Sequence, residues 1–403
     1  MNRIFGLAFA AGVLCCGTAS AQVSDGVVKL GVLNDMSSLY ADIGGRGSVL
    51  AAQMAVEDFG GKVLGAPIEI VSGDHQNKPD IGAGIARKWI DTDRVDAIVD
   101  VPTSSVALAI QEVTREKKRL FLMSGPASSD LTGKACSPYG IQWTYDTYAL
   151  AHGTGGALVK QGGDSWFFIT ADYAFGHALE RDTGDAVKAA GGKVVGAVRA
   201  PLNTSDFSSF LLQAQASKAK VIGLANAGGD TINSIKQASE FGIVSSGQKL
   251  AGLLVFLTDV HSLGLKTAQG LTITSAWYWD KDDASRAFAK RFMARNPNGM
   301  PPTYTQAGVY TEVAQYLKAI QAAGTDDADK VVAQLRNMKI NDFMTKDGWL
   351  REDGRVMRDM YLEEVKSPTE SKYPFDYFKI LATIPADQAF RPLKDGGCPL
   401  VHG

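Results

Sequence analysis

Apolar runs typical of buried strands alternate with helical segments along most of the chain, and this alternation restricts the fold more than any other feature. In the first half the runs are "VVKLGVLNDM", "PIEIVSGD", "VDAIVDV" and "RLFLMSG", with helical segments such as "GSVLAAQMAVEDFGG" between them. In the second half they are "SWFFITAD", "KVVGAVRAP", "AKVIGLANA", "KLAGLLVFLTD" and "GLTITSAWYWD". Continuous apolar strands joined by helices are typical of parallel sheets covered on both faces. The sequence therefore predicts an α/β protein.

The two halves begin in the same way, which predicts two lobes of one design. Each has a strand, a loop with Tyr and Gly ("SSLYADIGG" and "ADYAFGH"), a helix, and then "GGKV" before the next strand. We expect a mostly parallel sheet flanked by helices in each lobe. The predicted lobe 1 is residues 22–146 plus 278–355, and lobe 2 is residues 147–277 plus 356–403 with the C-terminal tail. Three crossing segments would form a hinge that favours closure around a ligand.

The N-terminus has the pattern of an export signal. Arg3 precedes an apolar run, and Ala19-Ser20-Ala21 is the small-x-small pattern that signal peptidase cleaves. We therefore predict a signal peptide over residues 1–21 and a soluble, periplasmic mature protein. A lipoprotein is the alternative, but Leu14 before Cys15, and Cys15 before Cys16, replace the small residue that lipid attachment requires. No later apolar stretch reaches the length of about 20 residues that spans a bilayer.

Removal of the signal leaves two cysteines, Cys136 and Cys398. Two thiols in an oxidising compartment usually pair, so we predict a disulfide between the tail and the body of the protein. The alternative is two buried, unpaired thiols.

Several function classes lack support. A formal net charge of -2 without a basic run argues against nucleic acid as a partner. The chain has no G-x-S-x-G, P-loop or G-x-G-x-x-G pattern and no metal-ligand spacing among its histidines, so no enzyme activity, cofactor or metal is predicted. Asp74 and His75 end a strand and leave an exported hydrolase as the enzymatic alternative, which would need a nucleophile within reach of His75.

Small hydroxyl residues follow two neighbouring strands. Thr103, Ser104 and Ser105 come after "VDAIVDV", and Ala127 and Ser128 come after "RLFLMSG". Ligands of open α/β sheets bind at the carboxyl ends of strands, where free N–H groups and the helix dipole favour an anion. Without a P-loop or a nearby Lys, a carboxylate is the expected anion. The alternative is that a Ser caps its own helix.

Aromatic residues are the second feature of the predicted cleft. Tyr40, Tyr173, Phe256, Trp277 and Tyr278 all fall in loops or at strand ends. Together they predict a flat, apolar ligand body held between rings. Each one taken singly fits an ordinary core or rim position better than a ligand contact.

The order of these motifs resembles the periplasmic solute-binding proteins of ABC importers, in the branched-chain amino acid receptor family. The resemblance rests on "KLGVLNDMSS", Ser104-Ser105, "LMSGPASSDLT", "ITADYAFG" and "ANAGGDTINSIKQASEFGI", and covers nearly the whole mature chain. It implies the two-lobed type I periplasmic binding protein fold and an inner-membrane ABC permease as partner. It also implies that Ser104 or Ser105, with Ala127 and Ser128, holds the ligand carboxylate, and that Tyr173 contacts the ligand.

One departure from the family affects the expected ligand. Amino acid receptors hold the ammonium group with an acid in the second lobe, but here Phe256 and Leu257 stand near that position and Asp259 is only nearby. The chain resembles more closely the branch that binds aromatic carboxylates of the benzoate or phenylpropenoate type. A branched-chain or other hydrophobic amino acid stays open, with Asp230 or Asp259 as its partner.

The expected ligand-binding residues are therefore Tyr40, Ser104, Ser105, Ala127, Ser128, Tyr173, Asn226, Asp230, Phe256, Asp259 and Trp277. We expect a monomer that binds without catalysis. A sensor that reports to a membrane signalling protein would use the same lobes and is a further alternative. A cytoplasmic repressor of the same fold is disfavoured, because an export signal stands where its DNA-binding helices would be.

Overall fold

A computed structural model of the protein describes residues 23–402. The predicted signal peptide and the lipoprotein alternative at Cys15 and Cys16 lie outside these residues. Within the described part of the chain, no helix combines the length and the apolar character needed to cross a bilayer.

The first part of the chain forms a six-stranded sheet with helices on both faces. Its elements are β1 (Val28–Asn34), α1 (Gly45–Phe59), β2 (Lys62–Val63), β3 (Ala66–Asp74), α2 (Pro79–Asp91), β4 (Ala97–Asp100), α3 (Ser104–Lys117), β5 (Leu120–Met123) and β6 (Gly140–Gln142). The strand order is β2-β3-β1-β4-β5-β6, and only the β2–β3 pair is antiparallel. Every residue of β4 and β5 is buried, as expected for central parallel strands.

The second part forms a four-stranded parallel sheet. Its elements are α4 (Thr147–Leu150), α5 (Gly156–Lys160), β7 (Ser165–Ala171), α6 (Ala174–Ala189), β8 (Lys193–Ala200), α7 (Ser208–Ala216), β9 (Val221–Ala225), α8 (Gly229–Glu240), β10 (Lys249–Gly252), α9 (Leu257–Leu263) and α10 (Leu265–Ala268). The strand order is β10-β9-β7-β8. The α/β class and the parallel sheets flanked by helices are those predicted from the alternating pattern.

The last part adds two small antiparallel units and three long helices. Its elements are β11 (Thr272–Ser275), α11 (Asp283–Met293), α12 (Tyr304–Ala323), α13 (Ala328–Asn337), β12 (Trp349–Leu350), β13 (Val356–Met357), β14 (Met360–Val365), β15 (Phe378–Ile384) and α14 (Ala386–Ala389). β11 pairs antiparallel with β14, which pairs with β15, and β12 pairs with β13. The run "GLTITSAWYWD" therefore belongs to a separate antiparallel sheet, because its partner is a strand supplied by the returning chain.

Helices α11 and α12 return to the first sheet after the second sheet is complete. α12 packs along α1 and against β4 and β5. Ion pairs join α11 and the residues after it to α1, with Arg291 2.6 Å from Asp58 and Arg295 2.5 Å from Glu57. This return is the crossing pattern that a multi-segment hinge requires. The lobe boundaries at 146/147, 277/278 and 355/356 stay a prediction.

The predicted disulfide between Cys136 and Cys398 is confirmed, with its sulfur atoms 1.99 Å apart. It fixes the C-terminal tail to the loop before β6. Arg391 of the tail also donates to the backbone carbonyl of Ser129 at 3.0 Å. The tail therefore braces the loop that follows β5, the loop in which Ala127 and Ser128 lie.

Candidate functional site

The turn that follows β4 is held by buried polar contacts. Asp100 and Val101 both have positive φ angles, 75° and 63°, which non-glycine residues adopt only where the surroundings enforce them. The Asp100 carboxylate accepts hydrogen bonds from Asn34 Nδ2 at 2.6 Å and from Ser48 Oγ at 2.5 Å. Burial raises the pKa of Asp100 to about 6. These contacts fix the direction in which the chain enters α3.

Helix α3 begins at this turn without a side-chain cap. Thr103 occupies the cap position, but its hydroxyl donates to Asn77 Oδ1 and accepts nothing from the helix. The first turn contains no acidic residue. The hydroxyl of Ser104 accepts from the backbone N–H of Ser128 at 3.2 Å and so joins the two strand-end loops. The capping alternative for Ser104 is therefore not what the structure shows, and the positive end of the helix dipole stays uncompensated.

The loop after β5 is ordered by its own contacts. The Ser128 hydroxyl accepts from the backbone N–H of Asp130 at 3.3 Å and caps the 3₁₀ turn Ser129–Thr132. The carbonyl of Ala127 accepts from the backbone N–H of Thr147 at 2.7 Å. Ser105 is partly exposed on α3. The structure thus brings Ser104 close to Ala127 and Ser128. Ser105 follows Ser104 in the first turn of α3.

A small cavity of about 10 Å³, room for about one water molecule, lies beside these loops, between the carboxyl ends of the six-stranded and four-stranded sheets. Its walls come from the segments that follow β1, β4, β5, β6, β7, β9 and β10. The lining residues are Tyr40, Ile43, Pro102, Gly125, Ala127, Tyr145, Tyr173, Phe175, Ala227, Leu254 and Phe256. Among the described residues no charged side chain lines it. We call this space the ring cavity.

The tyrosines of the ring cavity have their hydroxyls engaged with protein groups. Tyr40 Oη and Tyr173 Oη are 2.6 Å apart and join a loop of the first sheet to a loop of the second. Tyr145 Oη donates to the carbonyl of Gly125 at 2.7 Å. Burial raises the pKa of Tyr145 and Tyr173, so both stay neutral. The cavity therefore offers ring surfaces and neutral dipoles to a ligand.

A group of stacked rings closes one end of the ring cavity. The rings of Phe256 and Tyr304 are stacked with centroids 4.5 Å apart, and Tyr145 meets the Tyr304 ring edge-on at 5.2 Å. Offset and edge-on arrangements are the geometries that aromatic pairs prefer. This end of the cavity is thus a rigid aromatic wall.

Both acids considered as partners for a ligand ammonium lie outside the lining. Asp259 accepts from the backbone N–H of Phe256 at 2.9 Å and caps α9. Asp230, in the first turn of α8, accepts from the backbone N–H of Asn203 at 3.1 Å, while its Oδ1 has no partner. Burial raises the pKa of Asp259 to about 7 and that of Asp230 to about 6. Neither is placed as an exposed carboxylate in the cavity.

Two other predicted residues also lie outside the ring cavity. Asn226 donates to Ser234 Oγ at 2.9 Å and accepts from Thr231 Oγ1 at 2.7 Å, which satisfies it within α8. Trp277 donates its indole N–H to Ser285 Oγ at 2.9 Å. It lines a different cavity beside the antiparallel sheet. Of the predicted residues, Tyr40, Ala127, Tyr173 and Phe256 line the ring cavity itself.

The site contains residues that the sequence did not point to. Tyr145 stands in "WTYDTYAL", a segment without a clear hydrophobic period. Ile43, Phe175 and Leu254 are apolar positions, which sequence alone cannot separate from core. The signal that these residues share is their position in a segment that follows a strand.

His75 occupies a structural position. Its side chain is fully buried, and its Nδ1 accepts from the backbone N–H of Asn77 at 3.0 Å. Burial lowers the pKa of His75 to about 4, so the ring is neutral. Asp74 accepts from the Ser37 hydroxyl at 3.1 Å. These contacts stabilise a turn.

Within residues 23–402, no cluster of His, Cys, Asp and Glu could hold a metal ion.

A polar cluster joins the two sheets on the other side of the Ser128 loop. The Asp182 carboxylate on α6 accepts from Ser129 Oγ at 2.7 Å and from Thr147 Oγ1 at 2.6 Å. Arg181 donates to Ser129 Oγ at 2.9 Å and lies 3.1 Å from Asp130. We call these five residues the polar bridge. It connects the loop after β5 directly to the second sheet.

Comparison with known proteins gives a consistent set of relatives. A family model described as periplasmic binding protein matches residues 27–371. A periplasmic binding protein from Burkholderia mallei is 55% identical, covers 93% of this chain and 99% of its own, and superposes with a TM-score of 0.91.

Two further solved structures are informative. A branched chain amino acid ABC transporter periplasmic ligand-binding protein from Burkholderia xenovorans LB400 is 45% identical, with coverage of 93% and 99% and a TM-score of 0.83. A solute binding protein of an ABC transporter from Rhodopseudomonas palustris HaA2, in complex with p-hydroxybenzoic acid, is 25% identical, with coverage of 89% and 97% and a TM-score of 0.80.

Proposed function

This chain belongs to the periplasmic binding protein family and is the substrate-binding component of an ABC transporter, and we propose that its cargo is a small aromatic carboxylate. The ligand would be captured in the ring cavity as the two lobes close, and then presented to an inner-membrane ABC permease. We further propose that the protein is exported by the segment 1–21, acts as a monomer and binds its cargo without chemical turnover.

The observation that carries this proposal is the lining of the ring cavity. It joins aromatic and apolar surfaces with no charged side chain, next to the uncapped N-terminus of α3. A single ring with one anionic end fits this proposal, since backbone N–H groups and the Ser104 hydroxyl would donate hydrogen bonds to the carboxylate while the rings enclose the body. The cavity volume of about 10 Å³ is far below the roughly 300–1,000 Å³ of ligand pockets, so we expect the lobes to part before a ring can enter.

An amino acid cargo is the second candidate, and one observation favours it. Asp230 Oδ1 is buried without a partner. Burial and, to a smaller extent, the charge of Asp230 raise the pKa of both Tyr40 and Tyr173, so this carboxylate lies near the ring cavity. The arrangement described here leaves an ammonium in the ring cavity without an anionic partner, at a cost of several kcal/mol. The relatives are named for both chemistries.

Calorimetry with benzoate, 4-hydroxybenzoate, phenylpropenoate, leucine and valine tests the proposal. We expect the aromatic acids to bind and the amino acids to give no heat. Tight binding of leucine or valine without a response to the aromatic acids would contradict it.

A variant series tests the anion site. Replacing both Ser104 and Ser105 with Ala is expected to weaken the acids by roughly tenfold or more, and to change binding of the matching neutral amides far less. Ser137→Ala is the matched control, because the Ser137 hydroxyl accepts from the backbone N–H of Tyr139 at 3.3 Å, away from the cavity lining. Equal losses for acids and amides would argue against a carboxylate site there.

Transport and sensing use the same binding step, so a ligand sensor for a membrane signalling protein is the remaining alternative. Uptake of radiolabelled benzoate by cells with and without this gene separates the two, because only a transport component changes the uptake rate.

A further inference from the structure

Two fully buried arginines, Arg355 and Arg358, flank β13 where the chain crosses between the sheets. Arg355 Nη1 donates to the carbonyl of Tyr145 at 2.9 Å, and Arg358 Nη2 donates to the carbonyl of Ala276 at 3.0 Å. Tyr145 lies between β6 of the first sheet and α4, which packs on α6 of the second, and Ala276 directly follows β11. The two guanidinium groups thus join the three segments that we predict to form the hinge.

The guanidinium of Arg355 is held in one orientation. Its Nε donates to the carbonyl of Val356 at 3.1 Å, and its Nη1 lies 3.7 Å from a carboxylate oxygen of Asp146, which also caps α4. Burial lowers the pKa of Arg355 to about 10, so the group stays charged at neutral pH. Its Nη2 makes no hydrogen bond. The orientation of the group therefore also depends on what packs against its face.

A ring of the C-terminal tail packs against this face. Arg355 Cζ lies 4.5 Å from the centroid of the Phe390 ring, and Phe390 is fully buried. A cation over an aromatic face is stabilised most when both groups are removed from water. The next residue, Arg391, donates to the carbonyl of Ser129, and its own carbonyl accepts from Arg351 Nη1 at 2.9 Å. The tail is thus fixed on both sides of Phe390.

These contacts converge on Tyr145, whose ring lines the ring cavity. Its hydroxyl donates to the carbonyl of Gly125, and its backbone carbonyl accepts from Arg355. Gly125 lies in the loop after β5, and Arg391 bonds to Ser129 in the same loop. The tail therefore supports Tyr145 by two routes, through Arg355 at its backbone and through the loop at its hydroxyl.

We propose that Phe390 and Arg355 are positioning residues for cargo binding. The tail ring holds the guanidinium, the guanidinium holds the backbone of Tyr145, and Tyr145 then presents its ring to the cargo. The inference rests on the proposed function only for the location of the site, and it applies to an aromatic acid and to an amino acid alike. The disulfide between Cys136 and Cys398 keeps the tail in place. The C-terminal tail is in this way part of the binding machinery.

Phe390→Leu tests the proposal, because leucine fills most of the space but offers no ring face to the cation. Calorimetry with 4-hydroxybenzoate and with leucine measures the affinity. We expect the affinity for whichever compound binds the wild-type chain to fall about tenfold, mainly through faster dissociation in stopped flow. Hydrogen–deuterium exchange over residues 143–150 of the ligand-free protein should become faster.

Phe207→Leu is the matched control. Phe207 is also fully buried, but it lies at the start of α7 with its ring 6.0 Å from that of Phe210, and it does not line the ring cavity. It should lower stability in urea about as much as Phe390→Leu does, while affinity changes by less than threefold and exchange over residues 143–150 is unchanged. Equal affinity losses in both variants would indicate general destabilisation and overturn the proposal.

Variants of Arg355 test the middle of this series of contacts. Arg355→Lys keeps the charge under the ring and one donor, so it should retain more affinity than Arg355→Met. If Arg355→Met does not fold, the double variant Cys136→Ser and Cys398→Ser takes its place, because it releases the end of the tail. It should lower affinity and speed exchange over residues 143–150, as Phe390→Leu does.

The outcomes separate this inference from the proposed function. If Phe390→Leu and the double serine variant leave affinity unchanged, the tail only covers the surface and the inference is wrong, whether or not exchange becomes faster. If the wild-type chain binds neither 4-hydroxybenzoate nor leucine, the proposed cargo is wrong. Exchange over residues 143–150 then decides by itself whether the tail positions Tyr145.

Discussion

The two sheets meet through two regions of opposite chemistry. On one side the aromatic residues Tyr40, Tyr145, Tyr173 and Phe256 line the ring cavity, and one hydroxyl pair joins Tyr40 to Tyr173. On the other side lies the polar bridge, whose Asp182 carboxylate accepts two short hydrogen bonds.

The difference assigns separate tasks to the two regions. The polar bridge is complete without a ligand, so it contributes the same free energy to the closed form whatever the cargo is. When the lobes part, Arg181 and Asp182 keep each other as partners at 2.9 Å, and no isolated charge is left. The region around the ring cavity gains further contacts only when a ligand is bound, so we expect it to decide which ligands bind.

Loss of a ring should have the largest effect. Phe256 is fully buried between Tyr145 and Tyr304. Phe256→Ala is expected to destabilise the protein by about 3–5 kcal/mol, through lost burial and the hole left behind. Phe256→Leu, which keeps most of the volume, should cost much less. Urea unfolding of the three proteins measures this, and equal stability of wild type and Phe256→Ala would show that the wall is not packed as described.

Loss of the polar bridge should weaken all ligands alike. Asp182→Ala removes the acceptor of one hydrogen bond that crosses between the sheets, from Ser129, and of a second bond from Thr147 at the start of α4. A hydrogen bond to a charged acceptor is worth about 1.5–3 kcal/mol. We expect affinity to fall by roughly 10- to 100-fold for each ligand that binds, mainly through faster dissociation measured by stopped flow.

The control for this prediction lies on the same helix. Glu180 bonds to Thr170 and Arg199, both within the second sheet, so Glu180→Ala should leave the dissociation rate nearly unchanged. If Asp182→Ala instead weakened the affinity for some ligands and not for others, the polar bridge would also take part in ligand selection, and the proposed separation of tasks would be wrong.

The smallest expected effect is a pH dependence near the ring side. Burial raises the pKa of Asp230 to about 6, above its ordinary value of 3.8. The folded chain thus holds this proton more tightly than the unfolded chain, so its contribution to stability is present at low pH and is lost as pH rises from about 4 to above 6.

Asp230→Asn should remove that part of the pH profile, on the order of 1 kcal/mol, as seen in thermal unfolding between pH 4 and pH 7. If the same substitution instead abolishes binding of an amino acid, Asp230 is an ammonium partner and the amino acid alternative gains the support that the ring cavity now gives to aromatic acids.

The fold was largely predictable because its signal is local. Strands such as β4 and β5 are apolar at every position, and this pattern survives in any environment that buries both faces. The antiparallel pairing of β11 with β14 was not predictable, because it joins segments about 90 residues apart. The apolar pattern of a strand carries no information about which other strand it pairs with.

The site was predictable at the strand ends and less so elsewhere. Ser104 and Ser128 are joined by a hydrogen bond, as the adjacency of their strands suggested. Tyr145 and Tyr304 were missed, because a buried tyrosine at a site has the same sequence appearance as one in the core. Trp277 was expected at the cleft, but it lines a separate cavity beside the antiparallel sheet, where the turn after β11 directs it.

By itself the sequence determined the class of fold, the pairing of Cys136 with Cys398 and the hydroxyl residues that follow β4 and β5, because each depends on local pattern or on the number of available partners. Tertiary structure alone decided which aromatic residues enclose the ring cavity, that Asp259 caps α9, and that the polar bridge joins Ser129 to Asp182. Those outcomes depend on which distant segments pack against one another, because the packing that buries the apolar surface of the whole chain determines these contacts.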